Sequence, residues 1–595
     1  MKPFKKSFDK LLERFLYWRI GRISDRTFLF LTSIVIGVVA GLFAVLLKVM
    51  VKWTEHGLLY YFNLKNENYF FFLYPLIGIF LSWLFIKLVL QGNLQKGISN
   101  ILYIISKKKS NVELYHTYSH LPTSAVTVAF GGSVGLEAPI VATGSALGSN
   151  IARKLRFGYK ERTLLLACGA ASGIAAVFNS PIAGVLFAFE VLLVEFTIPA
   201  FIPLLIAAAS AAVVSKILYS GQIFYLITGG WVVEAIPFYI LLGVLCGLVS
   251  AYYIRMNTYV EMAFHHVPPI RKIITGGLIL GVLLFFLPPL YGEGYQTIEG
   301  LLAGNGKLLL VNSPFADFRM DPWFLLLFVG VIIIVKIFAT AITISAGGNG
   351  GIFAPTLFAG ALTGFFFVLL FRLLGIDDLN TSNFIVVGMA GILSGVIHVP
   401  LTAIFLIAEI TGGYVLFVPL MIVSAMSFFI ARYFEPHSVY TKSLARRGFL
   451  ITSDRDQTVL SLLELSTLIE RDFSTVPVDG TLSDLVKVIA KSRRNIYPVV
   501  DTEGHLEGLI NLGQVKPVMF KEDLYHTLPV RSLMVKPMAI VDVNEEMRVV
   551  MTMFEKFDQP SFPVTEGGKY IGFISKSLLF DHYRSMMKKQ AREFV

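Results

Sequence analysis

"GGSVGLEAP" at residues 131–139 and "GGNGGIFAP" at residues 347–355 decide how this chain folds. Each is a glycine-rich turn ending in a proline, and each stands ahead of a second matching block. "GAASGIAAVFNSPIAGVLFAFE" runs from Gly169 to Glu190, and "GMAGILSGVIHVPLTAIFLIAE" runs from Gly388 to Glu409. Gly169, Pro181 and Glu190 align with Gly388, Pro400 and Glu409 at one constant offset, and Pro139 and Pro355 hold matching places. Ordinary small-residue packing enriches Gly and Ala in any membrane bundle. It does not reproduce the order glycine turn, Pro, Gly, Pro, Glu twice, so the chain reads as an internal duplication. Gly/Pro-interrupted segments in corresponding halves point to a transport site made from broken helices. Helix N-termini at such breaks carry free N–H groups and partial positive charge, which favour an anion. A proline just inside the helix start is tolerated, because its missing N–H had no intrahelical partner anyway.

Composition demands a membrane setting. Of 595 residues, 55% are hydrophobic and only 15% charged, with mean hydropathy +0.69. A soluble chain carries nearer about 25% charged residues. Apolar runs at Thr27–Val51, Tyr69–Leu90, Leu164–Val194, Phe201–Leu218, Ile236–Tyr253, Trp323–Ile344, Phe384–Ile410 and Leu416–Ala431 include several of the roughly 20 residues a helical crossing needs. Lipid offers the backbone no hydrogen bonds, so these runs must be helical. The fold class is therefore an α-helical polytopic membrane protein, followed by a small α/β domain.

The first 26 residues carry eight basic side chains (Lys2, Lys5, Lys6, Lys10, Arg14, Arg19, Arg22, Arg26) and lead into a full-length span, unlike a cleavable signal. Cys168 and Cys246 both lie in apolar segments and suggest neither a disulfide framework nor a metal site. The net charge of +11 comes from basic residues flanking the spans, as cytoplasmic loops require, and calls for no nucleic acid. The same rule puts both termini in the cytoplasm of a multi-pass plasma (inner) membrane protein. Lys107–Lys109 and "ARKLRFGYKER" (152–162) then lie on one side, so residues 121–150 are either a tight pair of crossings or a re-entrant segment, and the Gly-Gly and Pro in their middle favour a re-entrant turn. Glu137 falls at that turn. Intramembrane acids are functional by default; the plain alternative is a paired structural acid.

At these residues the chain resembles the CLC family of chloride channels and proton-coupled chloride exchangers, over about residues 25–450. The family's G-K/R-E-G-P motif is similar to Gly135-Leu136-Glu137-Ala138-Pro139, and its G-x-F-x-P motif to Gly351-Ile352-Phe353-Ala354-Pro355. The tyrosine near the end of the membrane domain corresponds to Tyr440 in "EPHSVYTKSLARRG" (435–448). The resemblance implies an inverted repeat of broken and re-entrant helices, with Glu137 as the gating carboxylate. It implies backbone N–H groups around Gly135, Leu136, Ile352 and Phe353, with the Tyr440 hydroxyl, as anion ligands. Chloride or another small anion is the expected cargo, and a homodimer the expected assembly.

The departures matter as much. The family's G-S-G-I-P stretch reads "QKGISN" (95–100) here, so Lys96 stands where the anion-coordinating serine belongs. Ser99, in place of the proline, is the alternative ligand. The internal proton-relay glutamate of many exchangers falls on Val191, one past Glu190. That favours a channel over a proton-coupled antiporter without excluding the latter. Glu190 and Glu409 read as buried acids bonded to backbone N–H groups.

After Arg447 the composition becomes that of a soluble domain. Two segments, beginning at Phe473 and Leu533, share the order extended stretch, amphipathic helix, hairpin, with turns at "DTEG" (501–504) and "TEGG" (565–568). Leu482, Leu485, Val486 and Ile489 share one helical face. They resemble a tandem pair of cystathionine-β-synthase (CBS) domains, which often bind adenine nucleotides. Gln514 and Leu578 occupy the places of the ribose-binding acid, so a structural or dimer-stabilising tail is expected and no cofactor.

The expected organisation is thus 1–26 basic segment, 27–447 membrane domain with repeats at about 72–220 and 273–431, and 448–595 tail with CBS units at about 466–525 and 526–585. An intramembrane enzyme is a distant alternative, because no Ser/His, paired-Asp or His-x-x-Glu cluster occurs in the spans.

Overall fold

The computed structural model describes residues 13–592 apart from 15, 20, 63–71, 93, 194–197, 220–229, 319–320, 447–462 and 464. Lys2, Lys5, Lys6, Lys10 and the composition boundary at Arg447 lie outside the described residues. The chain divides into two compact units, Met1–Leu450 and Ile451–Val595.

The first unit is helical. Its first half contains α1 (Asp25–Phe62), α2 (Tyr74–Val89), α3 (Ile98–Lys107), α4 (His120–Ala129), α5 (Glu137–Lys154), α6 (Tyr159–Phe178), α7 (Pro181–Phe187) and α8 (Ile198–Leu218). Its second half contains α9 (Ile236–His265), α10 (Pro269–Phe286), α11 (Tyr295–Leu302), α12 (Pro322–Ser345), α13 (Phe353–Leu373), α14 (Thr381–Ile397), α15 (Pro400–Ile410), α16 (Phe417–Phe434) and α17 (Val439–Arg446). Among the described residues, eight helices are long and apolar enough to cross a bilayer. At 38 residues, α1 is about 57 Å long, well beyond the roughly 30 Å hydrocarbon core. At 10 residues, α4 is about 15 Å long and cannot cross alone.

Two apolar runs that read as continuous are broken. Asn179 and His398 take left-handed conformations (φ 54° and 64°) at equivalent repeat positions. Pro181 and Pro400 then start new helices at their first residue. Proline cannot continue a helix through its missing N–H, but it fits a first turn. The Leu164–Val194 run therefore becomes α6, α7 and one π-helical turn, Ala188–Leu192. Conversely, α10 and α13 were not among the apolar runs, because Gly, Pro and basic residues interrupt their hydropathy.

The repeated glycines have a packing reason. A Cβ at Gly144 would sit 2.1 Å from the Gly169 carbonyl oxygen, and one at Gly360 would sit 2.4 Å from that of Gly388. Backbone meets backbone at the same place in both halves, which only glycine permits. Side chains such as Val213, Leu327 and Phe429 stay exposed on the outside, as suits a surface facing lipid.

The second unit contains two three-stranded sheets. In the first, β1 (Val476–Pro477) pairs parallel with β2 (Ile496–Val500), and β2 antiparallel with β3 (Leu506–Asn511). In the second, β4 (Val541–Asp542), β5 (Ser561–Glu566) and β6 (Lys569–Ser575) repeat this arrangement. The intervening helices are α18 (Leu482–Lys491) and α19 (Met547–Phe557). Leu482 and Leu485 are fully buried against the first sheet, with Val486 and Ile489 partly buried beside them.

Candidate functional site

The two glycine turns quoted at the outset bond to each other. Gly135 N–H donates to the Gly351 carbonyl at 2.9 Å, and Gly351 N–H donates to the Gly135 carbonyl at 2.7 Å. One residue further, Leu136 and Ile352 cap helices α5 and α13. The first turns of two helices, with their unpaired N–H groups, therefore converge on one point. No side chain fits between them. A Cβ at Gly135 would lie 2.1 Å from Glu137 Oε2, and one at Gly351 would lie 2.8 Å from the Ala138 Cβ.

Glu137 is the first residue of α5 and is fully buried. Its Oε1 accepts a hydrogen bond from the Tyr295 hydroxyl at 2.6 Å. Its Oε2 has no hydrogen-bond partner among the described residues. Phe353, also fully buried, is fixed by the rings of Phe178 and Phe187 at 5.4 and 6.4 Å. That packing holds the start of α13 in place.

A cavity of about 470 Å³ opens beside this point, lined among others by Lys96, Ser99, Ala138, Ile352, Tyr440 and Ser443. Glu137, Gly135, Leu136 and Phe353 do not line it; they sit behind its wall. Tyr440 is buried, and its hydroxyl has no hydrogen-bond partner among the described residues. Its carbonyl accepts the Ser99 hydroxyl at 2.8 Å, so Ser99 spends its proton on the backbone and not on the cavity. The Lys96 ammonium donates to the carbonyls of Gly347 (2.5 Å) and Gly348 (3.2 Å) in the second glycine turn. A positive charge is thus anchored on the cavity wall. Val191 lies in the π-helical turn and is partly exposed.

Sequence reasoning did not single out the loop between α10 and α11. There, Glu293 Oε1 accepts the backbone N–H of Leu136 at 3.1 Å. An amide expected to face an anion is held by a second carboxylate. Lys336 fixes this loop, donating to the carbonyls of Leu290 (3.1 Å) and Gly292 (2.9 Å), while Ser133 donates to Leu290 at 2.8 Å. The signal was present in "YGEGY" (291–295), again one acid between two glycines.

Broken helices from two halves, meeting around one buried carboxylate inside an apolar bundle, define an inverted-repeat membrane transport fold. The family profile for voltage gated chloride channels matches residues 77–432, and the CBS domain profile matches 465–518 and 530–584. The chain belongs to the voltage gated chloride channel (CLC) family of anion-transporting membrane proteins and carries a tandem CBS pair. It is 29% identical over 387 residues to a "chloride channel protein ClcB-like" of Ralstonia nicotianae, covering 63% of this chain and 85% of that one. It is 28% identical over 334 residues to the voltage-gated ClC-type chloride channel ClcB of Escherichia coli, covering 55% and 75%. Among solved structures, a slow cyanobacterial Cl⁻/H⁺ antiporter superposes with TM-score 0.59 at 23% identity, covering 71% and 98%. A eukaryotic CLC transporter superposes with TM-score 0.60 at 19% identity, covering 92% and 97%. The two structural likenesses bear on the fold.

Proposed function

We propose that this protein passes chloride, or another small anion, through a pathway gated by Glu137 and without obligatory proton exchange. The observation that carries the reading is the fully buried Glu137 carboxyl, at the point where the starts of α5 and α13 are joined through Gly135 and Gly351. A carboxylate there is a tethered anion. It competes with a free one for the same N–H groups and yields when protonated. The Tyr440 hydroxyl and the Lys96 ammonium serve the anion on the cavity side, with Ile352 at its wall. The Gly135, Leu136 and Phe353 amides serve deeper in, once the carboxyls leave. Ser99 supports Tyr440 through its carbonyl.

Proton-coupled antiport is the second reading. It is favoured by the Glu137–Tyr295 hydrogen bond, which puts a proton-bearing group directly on the gate. Exchange also needs a carrier between the cytoplasm and Glu137, where Val191 offers none and Glu190 is engaged with backbone N–H groups. Measuring anion efflux and proton uptake together from liposomes separates the readings; proton uptake against its gradient overturns the first. The same reading takes the protein as a homodimer in the plasma membrane, with both termini cytoplasmic and the CBS pair stabilising the assembly without nucleotide. No catalytic chemistry is assigned to it.

A further inference from the structure

We propose that Glu293 is a second tethered gate, holding the Leu136 amide on the side of Glu137 away from the cavity. The inference rests on the anion-pathway reading above and adds to it a second group that must move.

The geometry sets the role. Glu293 Oε1 accepts the N–H of Leu136, the residue immediately before Glu137 and the cap of α5. That amide belongs to the orphan donors of a helix start, the groups an anion would use. An anion passing Glu137 must take it from Glu293. Neither Glu293 nor Tyr295 lines the cavity. As a residue Glu293 is partly exposed, whereas Glu137 is fully buried.

Its placement is built in. Gly292 and Gly294 flank it with φ of 56° and 88°, a backbone region natural to glycine. A Cβ at Gly294 would also lie 2.3 Å from the Phe358 ring. The Lys336 ammonium binds the Leu290 and Gly292 carbonyls and lies 4.7 Å from the Phe358 ring centre. The Tyr291 hydroxyl donates to the Ala129 carbonyl at 2.5 Å, at the end of α4. A loop serving only as a connection needs no such clamp beside the starts of the re-entrant helices.

The ionisable groups around Glu293 come from each neighbouring element: Glu137 on α5, Tyr295 on α11, Lys48 and Glu55 on α1, and Lys336 on α12. Lys48 and Lys336 are both committed to backbone carbonyls, Lys48 to that of Ala176 at 2.9 Å. The Glu293 carboxyl is thus flanked by those of Glu137 and Glu55, and like charges oppose their joint ionisation. A proton taken from water by Glu293 removes its charge. Its hold on the Leu136 amide weakens, and an incoming anion no longer meets that repulsion. Acid then opens the pathway in two coupled steps rather than one.

The test is chloride efflux from liposomes containing full-length protein, measured between about pH 4 and pH 8, the range in which carboxyl groups titrate. Four proteins are compared: wild type, Glu137→Gln, Glu293→Gln and the double variant. Glu293→Gln should raise efflux at neutral pH roughly threefold or more and shift the acid-activation midpoint. Glu137→Gln should keep a residual acid activation that the double variant lacks. Glu293→Asp, which keeps a titrating group, should retain acid activation. A wild-type profile in Glu293→Gln, or a flat profile in Glu137→Gln alone, overturns the proposal; the second needs no Glu293 variant to fold. Absence of anion efflux from wild type overturns the anion-pathway reading itself, and the second gate with it.

Discussion

Glu409 caps Ala183: its carboxylate accepts the N–H groups of Ile182 and Ala183 at 3.1 and 3.0 Å, at the start of α7. Glu190 returns the arrangement across the repeat. It accepts the N–H groups of Leu401 and Thr402 at 3.0 and 2.8 Å, and the Thr402 hydroxyl at 2.6 Å, at the start of α15. Each repeated block thus ends in an acid that satisfies the proline-started helix of the other. Hydrogen bonds to a charged acceptor contribute about 1.5–3 kcal/mol. Glu409→Ala should therefore lower the thermal midpoint of purified protein in detergent, while efflux per folded molecule stays near wild type. Efflux lost at unchanged stability would place these acids in the pathway instead.

Tyr440→Phe should separate binding from folding. The hydroxyl has no hydrogen-bond partner among the described residues, so its removal forfeits no internal hydrogen bond and should leave the thermal midpoint near wild type. One hydrogen bond to an anion is worth about 1.5–3 kcal/mol, so half-saturating chloride should rise roughly tenfold or more. A titration of efflux against chloride, beside a thermal scan, reads both.

Lys96→Ser tests the charge on the cavity wall. Among the described residues, Lys96 is one of two charged side chains lining the cavity, the other being Glu261, and a fixed positive charge in a cleft raises local anion concentration by about tenfold or more. Its loss should weaken chloride dependence by that order and change the ranking of chloride, nitrate and fluoride. An unchanged ranking would mean that the ammonium serves only to tie Gly347 and Gly348.

In the tail, Asp484 and Thr481 form a capping box at the start of α18, with Thr481 N–H donating to Asp484 at 3.1 Å. That backbone N–H chiefly holds the Asp484 carboxyl below its ordinary value, with Lys487 and the Thr481 hydroxyl assisting. A carboxyl depressed by folding stabilises above its unfolded value, near about 4, and that stabilisation fades as pH falls through the folded one. Asp484→Ala should remove one arm of the capping box and speed amide exchange across Leu482–Lys491. Asp484→Asn should remove the acid sensitivity of that exchange.

The duplication, the broken helices and Glu137 were legible because glycine turns and prolines are local signals with local causes. The roles read for Glu190 and Glu409 rested on the same repeat, and their N–H partners lie in the opposite half. Glu293 and Tyr295 were not legible, since they reach Leu136 and Glu137 only across the fold, from a loop and the helix start after it, more than 150 positions away. The Ser99 hydroxyl escaped for a similar reason: its acceptor is the Tyr440 carbonyl, and sequence spacing does not report carbonyl directions. The α10 and α13 helices were hidden by the glycines, prolines and charges that let them pack.

Paired anion efflux and proton uptake in wild type and Glu137→Gln, in the same liposomes, test the central claim that Glu137 gates a passive anion pathway. The account predicts acid-activated chloride efflux from wild type with no proton uptake against its gradient. It predicts that Glu137→Gln conducts at neutral pH, keeping only the residual acid activation assigned to Glu293. A Glu137→Gln protein with the wild-type pH profile, or uphill proton uptake driven by chloride in wild type, would contradict it.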